Sequence, residues 1–244
     1  MNNCDYKDAK KRINDILNSR TDVERNVKEI PKDESAFSYK NGIKAWVGAL
    51  FVDIVDSTNL FKNESEEKIA RMMRAFCQEI IRILDQNPNY REIGIRGDCV
   101  YAIYNCPYKD DIGSIYDDAV TVNTFNNMFQ KLLENINFPT FDIGIGIGAS
   151  EALIIKAGKK GTGISNNIWI GDAVIDASKL SSEAGRNDYR KIMVSNTFYS
   201  NLDEYFKNSS ENDYFGRIYS NKLKTYVYQA DVIWRDMTEW IKTF

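Results

Sequence analysis

Residues 47 to 58 read VGALFVDIVDST, and they place Asp53 and Asp56 at the end of a run otherwise suited to burial. An unpaired carboxylate in an apolar interior costs several kcal/mol, so Asp53 calls for a cation. A second carboxylate, Asp98, follows in the turn-forming Arg96-Gly97-Asp98. If the strands carrying Asp53 and Asp98 lie side by side, the two carboxylates face one another and repel. Divalent cations relieve that repulsion, with oxygen ligands from Asp53, Asp98 and a nearby backbone carbonyl. The turn after the first strand offers the N–H groups of Asp56, Ser57 and Thr58 near a helix start, a geometry suited to phosphate oxygens. Metal ions beside a phosphate cradle imply nucleotide chemistry. Taken singly, each spot also has a plainer reading as a turn former or helix cap.

Composition removes much of the competing chemistry. The 244 residues contain no histidine, which excludes Ser-His triads and HExxH metal sites and leaves carboxylates, lysines and bound metal. Cysteines 4, 77, 99 and 106 form no CxxC pair and read as reduced thiols rather than zinc ligands or a disulfide framework. A net charge of −3 gives no global support for nucleic-acid binding. No apolar stretch approaches the roughly 20 residues of a membrane span, and MNNCDYKDAKKR lacks a signal-peptide core; the expected location is the cytoplasm.

The elements that must position these groups follow from periodicity. Residues 1–44 read as a polar N-terminal accessory segment, with a short helix over Asp8 to Asn18 and a second patch from Thr21 to Glu29 stopped by Pro31. A strand is expected over Trp46 to Ile54. A helix opens near Ser65, with Glu66 and Glu67 in its first turn and Met72, Phe76, Ile80 and Leu84 at helical spacing. Two short strands, YREIGI and CVYAIY, flank Arg96-Gly97-Asp98. A second amphipathic helix is expected over Ile115 to Ile136. In FDIGIGIGASEALIIKAGKKGTG, alternating Gly and Ile predict a strand pressed against another backbone, followed by a glycine-marked turn before Trp169. Val174 to Leu180 begins a further helix, and IMVSN and TYVYQADVI supply late strands. The order β-α-β-β-α-β predicts an α+β fold with a ferredoxin-like core, a catalytic unit over 45–234 and a tail over 235–244.

LFVDIVDSTNLF, IGIRGDCVYAIY, FDIGIGIGASEALI and IWIGDAVIDASKL, in that order, resemble class III nucleotidyl cyclases over nearly all of residues 45 to 232. The chain is most similar to the pyrimidine cyclases of bacterial Pycsar anti-phage systems, which NPNYREIGIRGDCVYAIYNCPYK and IIKAGKKGTGISNNIWIGDAV also resemble. The resemblance implies a homodimer with two active sites at the subunit interface. It implies attack of the ribose 3′-oxygen on the α-phosphate with release of diphosphate, and two divalent ions per site, Mn²⁺ or Mg²⁺.

Carried over by position, Asp53 and Asp98 match the metal-binding aspartates, the Ile54 carbonyl the backbone ligand, and Asp56, Ser57 and Thr58 the triphosphate turn. Lys179 matches the basic residue that meets charge on the transferred phosphate from the partner subunit. Ile175 departs from the pattern, standing where an Asn usually orients the ribose, with Asp176 as the neighbouring substitute. Lys222 and Lys224 are candidates for a terminal-phosphate contact. Gly94 and Ile168 occupy the positions where adenylate cyclases carry the Lys and Asp that read adenine, so purines are expected to be poor substrates. Tyr39 or Phe37 is a candidate to stack on a smaller ring. The implied product is a cyclic pyrimidine mononucleotide, from UTP ahead of CTP, read by a separate effector. The alternatives are an adenylate cyclase, or a degenerate cyclase fold kept for nucleotide binding or dimerisation.

Overall fold

The computed structural model describes residues 5–159, 162, 164–209 and 213–243. In chain order the elements are α1 (Tyr6–Leu17), β1 (Asp22–Val27), a 3-10 turn (Glu34–Ala36), β2 (Asn41–Ile54), α2 (Ser57–Asn63), α3 (Glu66–Asp85), β3 (Tyr90–Arg96), β4 (Cys99–Asn105), α4 (Lys109–Asn135), β5 (Ile143–Lys159), β6 (Ile164–Ile170), α5 (Asp172–Ser181), β7 (Ile192–Val194), α6 (Asn196–Asn201), α7 (Glu204–Lys207), β8 (Gly216–Ser220), β9 (Thr225–Ala230) and α8 (Arg235–Ile241). The strands form one sheet in the order β3-β4-β2-β5-β7-β9-β8, with β1 beside β2 and β6 beside β5. Within it β2-α3-β3-β4-α4-β5 is the expected βαββαβ core, and β2 is an interior strand, antiparallel to both β4 and β5.

Alternation along β2 separates two apolar layers. Leu50, Val52 and Ile54 join Met72, Phe76, Ile80 and Leu84 of α3, Ile115 and Val122 of α4, and Ile143, Ile145 and Ile147 of β5 in the main core. Each such side chain, fully buried, contributes about 1.5–3 kcal/mol. Ala45, Val47 and Ala49 point the other way, into a smaller cluster with Ile30, Phe37, Ile154 and Ala177. Ser65 caps α3 by accepting from the Lys68 N–H, as its position before Glu66 and Glu67 implied.

Several expectations need correction. The Thr21–Glu29 patch is not helical: it holds β1, parallel to β2 from Asp22 beside Asn41 to Val27 beside Ala45, with a bulge around Asn26. Its polar residues become a strand because the first half of β2 offers an edge to pair with. For the same reason β2 begins at Asn41 rather than at Trp46. Residues expected as a turn after β2 form the short helix α2, and α4 starts at Lys109, ahead of the expected Ile115. The C-terminal tail carries α8, where Ile241 is buried. The glycine-marked turn before Trp169 falls partly on Lys160, Gly161 and Gly163, and Cys4 precedes Asp5; these four lie outside the described residues. Cys77, Cys99 and Cys106 are free thiols.

Candidate active site

The alternating glycines of β5 meet a helix. A β-carbon built on Gly144 would overlap the carbonyl oxygen of Ser181, one on Gly146 that of Ala177, and one on Gly148 that of Ala173. With hydrogen at these three positions, the backbone of α5 lies directly on the sheet. This contact fixes Ile175, Asp176 and Lys179 on α5. Ile175 and Lys179 are exposed and one turn apart, while Asp176 is half-buried. Burial and the charge of Asp172 push the Asp176 carboxyl up to about 6, against the lowering effect of Lys179.

Asp53 stands beside Gly144 in the β2–β5 register, on the same face as α5. The β3–β4 hairpin turns through Gly97 at φ +65°, a conformation that favours glycine, and presents Asp98 next to it. The charges of both carboxylates reach the Cys99 thiol, which burial first of all pushes up to about 12. Burial raises the Asp53 carboxyl; Arg186 opposes this and Asp98 adds to it. The two predicted carboxylates are therefore electrostatic neighbours.

Arg186 has no counterpart in the sequence reading. Its Nη2 donates to Asp53 Oδ2 at 2.9 Å and to the Ile54 carbonyl at 2.8 Å. Its Nη1 donates to the carbonyls of Ser181 and Ala184, each at 3.1 Å. The loop that delivers it bends through Gly185, Asn187 and Asp188, all at positive φ. A guanidinium thus joins the carboxylate and the carbonyl that the sequence assigned to a metal. Oxygen donors that gather one cation in this way, with Asp98 beside them, fit a divalent ion. The nearest signal in the sequence is the turn composition of Gly185-Arg186-Asn187-Asp188, which says nothing of a partner 133 positions away.

Asp56 sits at φ +55° before α2, and both its carboxylate oxygens accept from Asn59 Nδ2, at 3.0 and 2.8 Å. This ties the turn down from within. The N–H groups of Asp56, Ser57 and Thr58 precede the first bonded turn of α2 and remain available. Of the two candidate phosphate lysines, Lys222 acts on Asp53 through its charge, and its Nζ donates to the carbonyl and hydroxyl of Ser182. Lys224 sits at φ +57° in the β8–β9 turn. The charge of Lys179 acts on Asp176, lowering its carboxyl against burial and Asp172.

At the expected base-reading positions, Gly94 is covered by a neighbour. A β-carbon there would lie 2.6 Å from the Tyr101 ring and hydroxyl. Tyr101 stacks on Phe51 at 5.1 Å and donates to Glu92 Oε1 at 2.7 Å. Trp169 Nε1 donates to the other Glu92 oxygen at 2.7 Å. Ile168 is exposed on β6, beside Ile155. Phe37 is a core residue, whereas Tyr39 is 38% exposed. Tyr39 precedes Gly42, which pairs with Ile155, so Tyr39 and Ile168 lie toward the same end of β5. A separate cavity of about 590 Å³, lined by Tyr116, Phe206 and Trp234, lies against α4 and includes none of the site residues named above.

Known proteins resemble this chain in sequence and in fold. The adenylate and guanylate cyclase catalytic domain matches residues 41–230. A uridylate cyclase of Treponema porcinum is 43% identical over 237 residues, 97% of this chain and 80% of the relative. A uridylate cyclase of Gulbenkiania mobilis is 30% identical over 217 residues, 85% of this chain and 83% of the relative. Among solved structures, the adenylyl cyclase CyaB from P. aeruginosa superimposes with a TM-score of 0.65 at 18% identity, covering 80% of this chain and 98% of that one. The guanylyl cyclase Cya2 superimposes with a TM-score of 0.64 at 12% identity, covering 80% and 95%.

Proposed function

The chain belongs to the class III nucleotidyl cyclase family, and on that premise we propose that it closes a pyrimidine ribonucleoside triphosphate to its 3′,5′-cyclic monophosphate with release of diphosphate. UTP is preferred to CTP. The observation that carries the reading is the convergence of Asp53 and the Ile54 carbonyl on a single cationic group, with Asp98 alongside. Asp53, Asp98 and the Ile54 carbonyl would hold two divalent ions, Mn²⁺ or Mg²⁺. Bound there, such ions would acidify the attacking hydroxyl and neutralise charge on the leaving diphosphate. The free N–H groups of Asp56, Ser57 and Thr58 bind phosphate oxygens.

Lys179 meets charge developing on the transferred phosphate. Asp176, half-buried and next to Ile175 on α5, is the candidate for the ribose contact that Ile175 lacks. The pyrimidine preference has two supports. Both reported relatives are named uridylate cyclases, and Tyr101 fills the space over Gly94 from which a purine-reading side chain would emerge. Tyr39 is the stacking candidate.

The active assembly is a homodimer with Lys179 working across the interface. In support, Ile168 and Ile170 lie exposed on one face of β6, with Ile164 beyond Asn166 on the same face, a surface that a second copy would cover. The catalytic unit spans 45–234, between an N-terminal segment and a C-terminal tail. Among the described residues no helix is long and apolar enough to cross a membrane. A cytoplasmic role in anti-phage signalling, with the product read by a separate effector, completes the proposal and rests on the Pycsar resemblance.

The exposed Ile175, at the usual Asn position, favours a second reading as a nucleotide-binding module without turnover. One experiment separates the readings: the purified protein is incubated with Mn²⁺ and each ribonucleoside triphosphate, and cyclic product and diphosphate are quantified. Cyclic UMP ahead of cyclic CMP is expected, with Tyr39→Ala much reduced. Faster conversion of ATP overturns the pyrimidine assignment; binding without any cyclic product establishes the module.

A further inference from the structure

We infer that Arg186 is a built-in cation of the metal-free site, which holds the Asp53 carboxylate and the Ile54 carbonyl until a divalent ion displaces it. The inference rests on the cyclase reading and adds to it a competitor for the metal. An ordinary surface ion pair joins two side chains and contributes little. Here one nitrogen, Nη2, takes both a carboxylate and a backbone carbonyl, at 2.9 and 2.8 Å, and these are the proposed metal ligands themselves. The pair is also withdrawn from solvent, with side-chain exposures of 24% for Arg186 and 19% for Asp53.

The second guanidinium nitrogen explains how release is possible. Nη1 is held by the carbonyls of Ser181 and Ala184, at and just beyond the C-terminal end of α5, where orphan carbonyls and the helix dipole favour a cation. Arg186 therefore keeps a seat when Nη2 gives up Asp53 and Ile54. A divalent ion at the same oxygens would sit next to a fixed positive charge, so metal loading and the Nη2 contacts oppose one another. Lys222 adds positive charge that acts on Asp53, and Asp98 is the negative group acting there that is left to draw the ion in. Metal then binds weakly to the protein alone, and the negative charge of the nucleotide tips the exchange.

The test measures Mn²⁺ binding to the full chain without nucleotide, from the EPR signal of free Mn²⁺, for wild type, Arg186→Gln, Arg186→Ala, Arg186→Lys and Asp98→Asn. Arg186→Gln and Arg186→Ala are expected to tighten binding by about tenfold, the scale on which a neighbouring opposite charge changes the proton affinity of a carboxylate. Arg186→Lys should stay near wild type, and Asp98→Asn should lose the site. A second readout uses only the wild-type protein: Mn²⁺ should raise the phenylglyoxal reactivity of Arg186, followed by mass spectrometry of its peptide. Unchanged or weaker Mn²⁺ binding in folded Arg186→Gln, or unchanged reactivity with Mn²⁺ bound, overturns the inference while leaving the metal assignment standing. Absence of any Asp98-dependent Mn²⁺ binding, with or without UTP, overturns both.

Discussion

Gly146 of β5 lies so close beneath Ala177 of α5 that a β-carbon on the glycine would overlap the alanine's carbonyl oxygen. The obstacle is backbone rather than a side-chain tip, so the helix itself must move. Overpacking of this kind costs about 1–3 kcal/mol or somewhat more. Gly146→Ala should therefore lower the melting temperature by roughly 4–10 °C for a chain of this size. Cyclisation should fall further than stability does, because the same shift displaces Asp176 and Lys179. Gly216→Ala is the control, since its nearest neighbours are side-chain atoms of Gln229 at 3.9 Å. Thermal melts and initial rates on the two variants decide whether α5 must touch the sheet; equal behaviour would refute that requirement.

This contact also shows how far the sequence could be read. The Gly-Ile alternation of β5 announces a backbone packed close by, and a sheet residue with no side chain has few other uses. What the pattern does not say is that the approaching backbone is helical. The core elements were legible because Leu50, Val52 and Ile54 alternate at period two and Met72, Phe76, Ile80 and Leu84 recur at helical spacing. β1 was not, since DVERNV has no apolar period of its own and takes strand form from the edge of β2. Asp53 and Asp98 were found as a cost in need of a partner. Arg186 was beyond reach, because its link to Asp53 exists only after β2 and α5 have come together.

The Arg186 contact separates two carboxylates that look equivalent in the sequence. As two carboxylates that repel, either one could be removed with relief of that repulsion. In the structure Asp53→Ala also strips Arg186 of its half-buried partner, and leaving such a charge uncompensated costs about 1–3 kcal/mol, less than the 3–5 of a fully buried pair. Asp98→Ala breaks no such pair. Both variants should lose cyclisation, while metal-free urea denaturation should show only Asp53→Ala clearly less stable than wild type. Equal stabilities would mean that the Arg186 contact carries no net energy.

Assembly across an interface has its own signature. If Lys179 serves the partner's phosphate, an Asp98→Ala subunit and a Lys179→Ala subunit each lack what the other supplies. Mixed dimers then contain one intact composite site. Two inactive preparations should regain roughly a quarter of wild-type activity after random exchange, since half the dimers are mixed and each has one of two sites. No recovery, once native mass spectrometry shows that mixed dimers form, would place Lys179 outside a shared site.

Asp118 on α4 predicts a pH dependence of stability. Burial pushes its carboxyl up to about 7 from the ordinary 3.8, even though Asn87 Nδ2 donates to it at 2.9 Å. Between those two values the folded chain holds a proton that the unfolded chain has released. Stability therefore falls as pH rises through this window and levels off above it. Asp176, raised to about 6, contributes to the same fall at the lower end, so the stretch from pH 6 to 7.5 belongs mainly to Asp118. Asp118→Asn keeps the size of the side chain and an acceptor for Asn87, and it cannot ionise. Melting temperatures across pH 4 to 8 should decline for wild type and flatten between pH 6 and 7.5 for the variant. An unchanged slope there would mean that Asp118 ionises at an ordinary pH inside the fold.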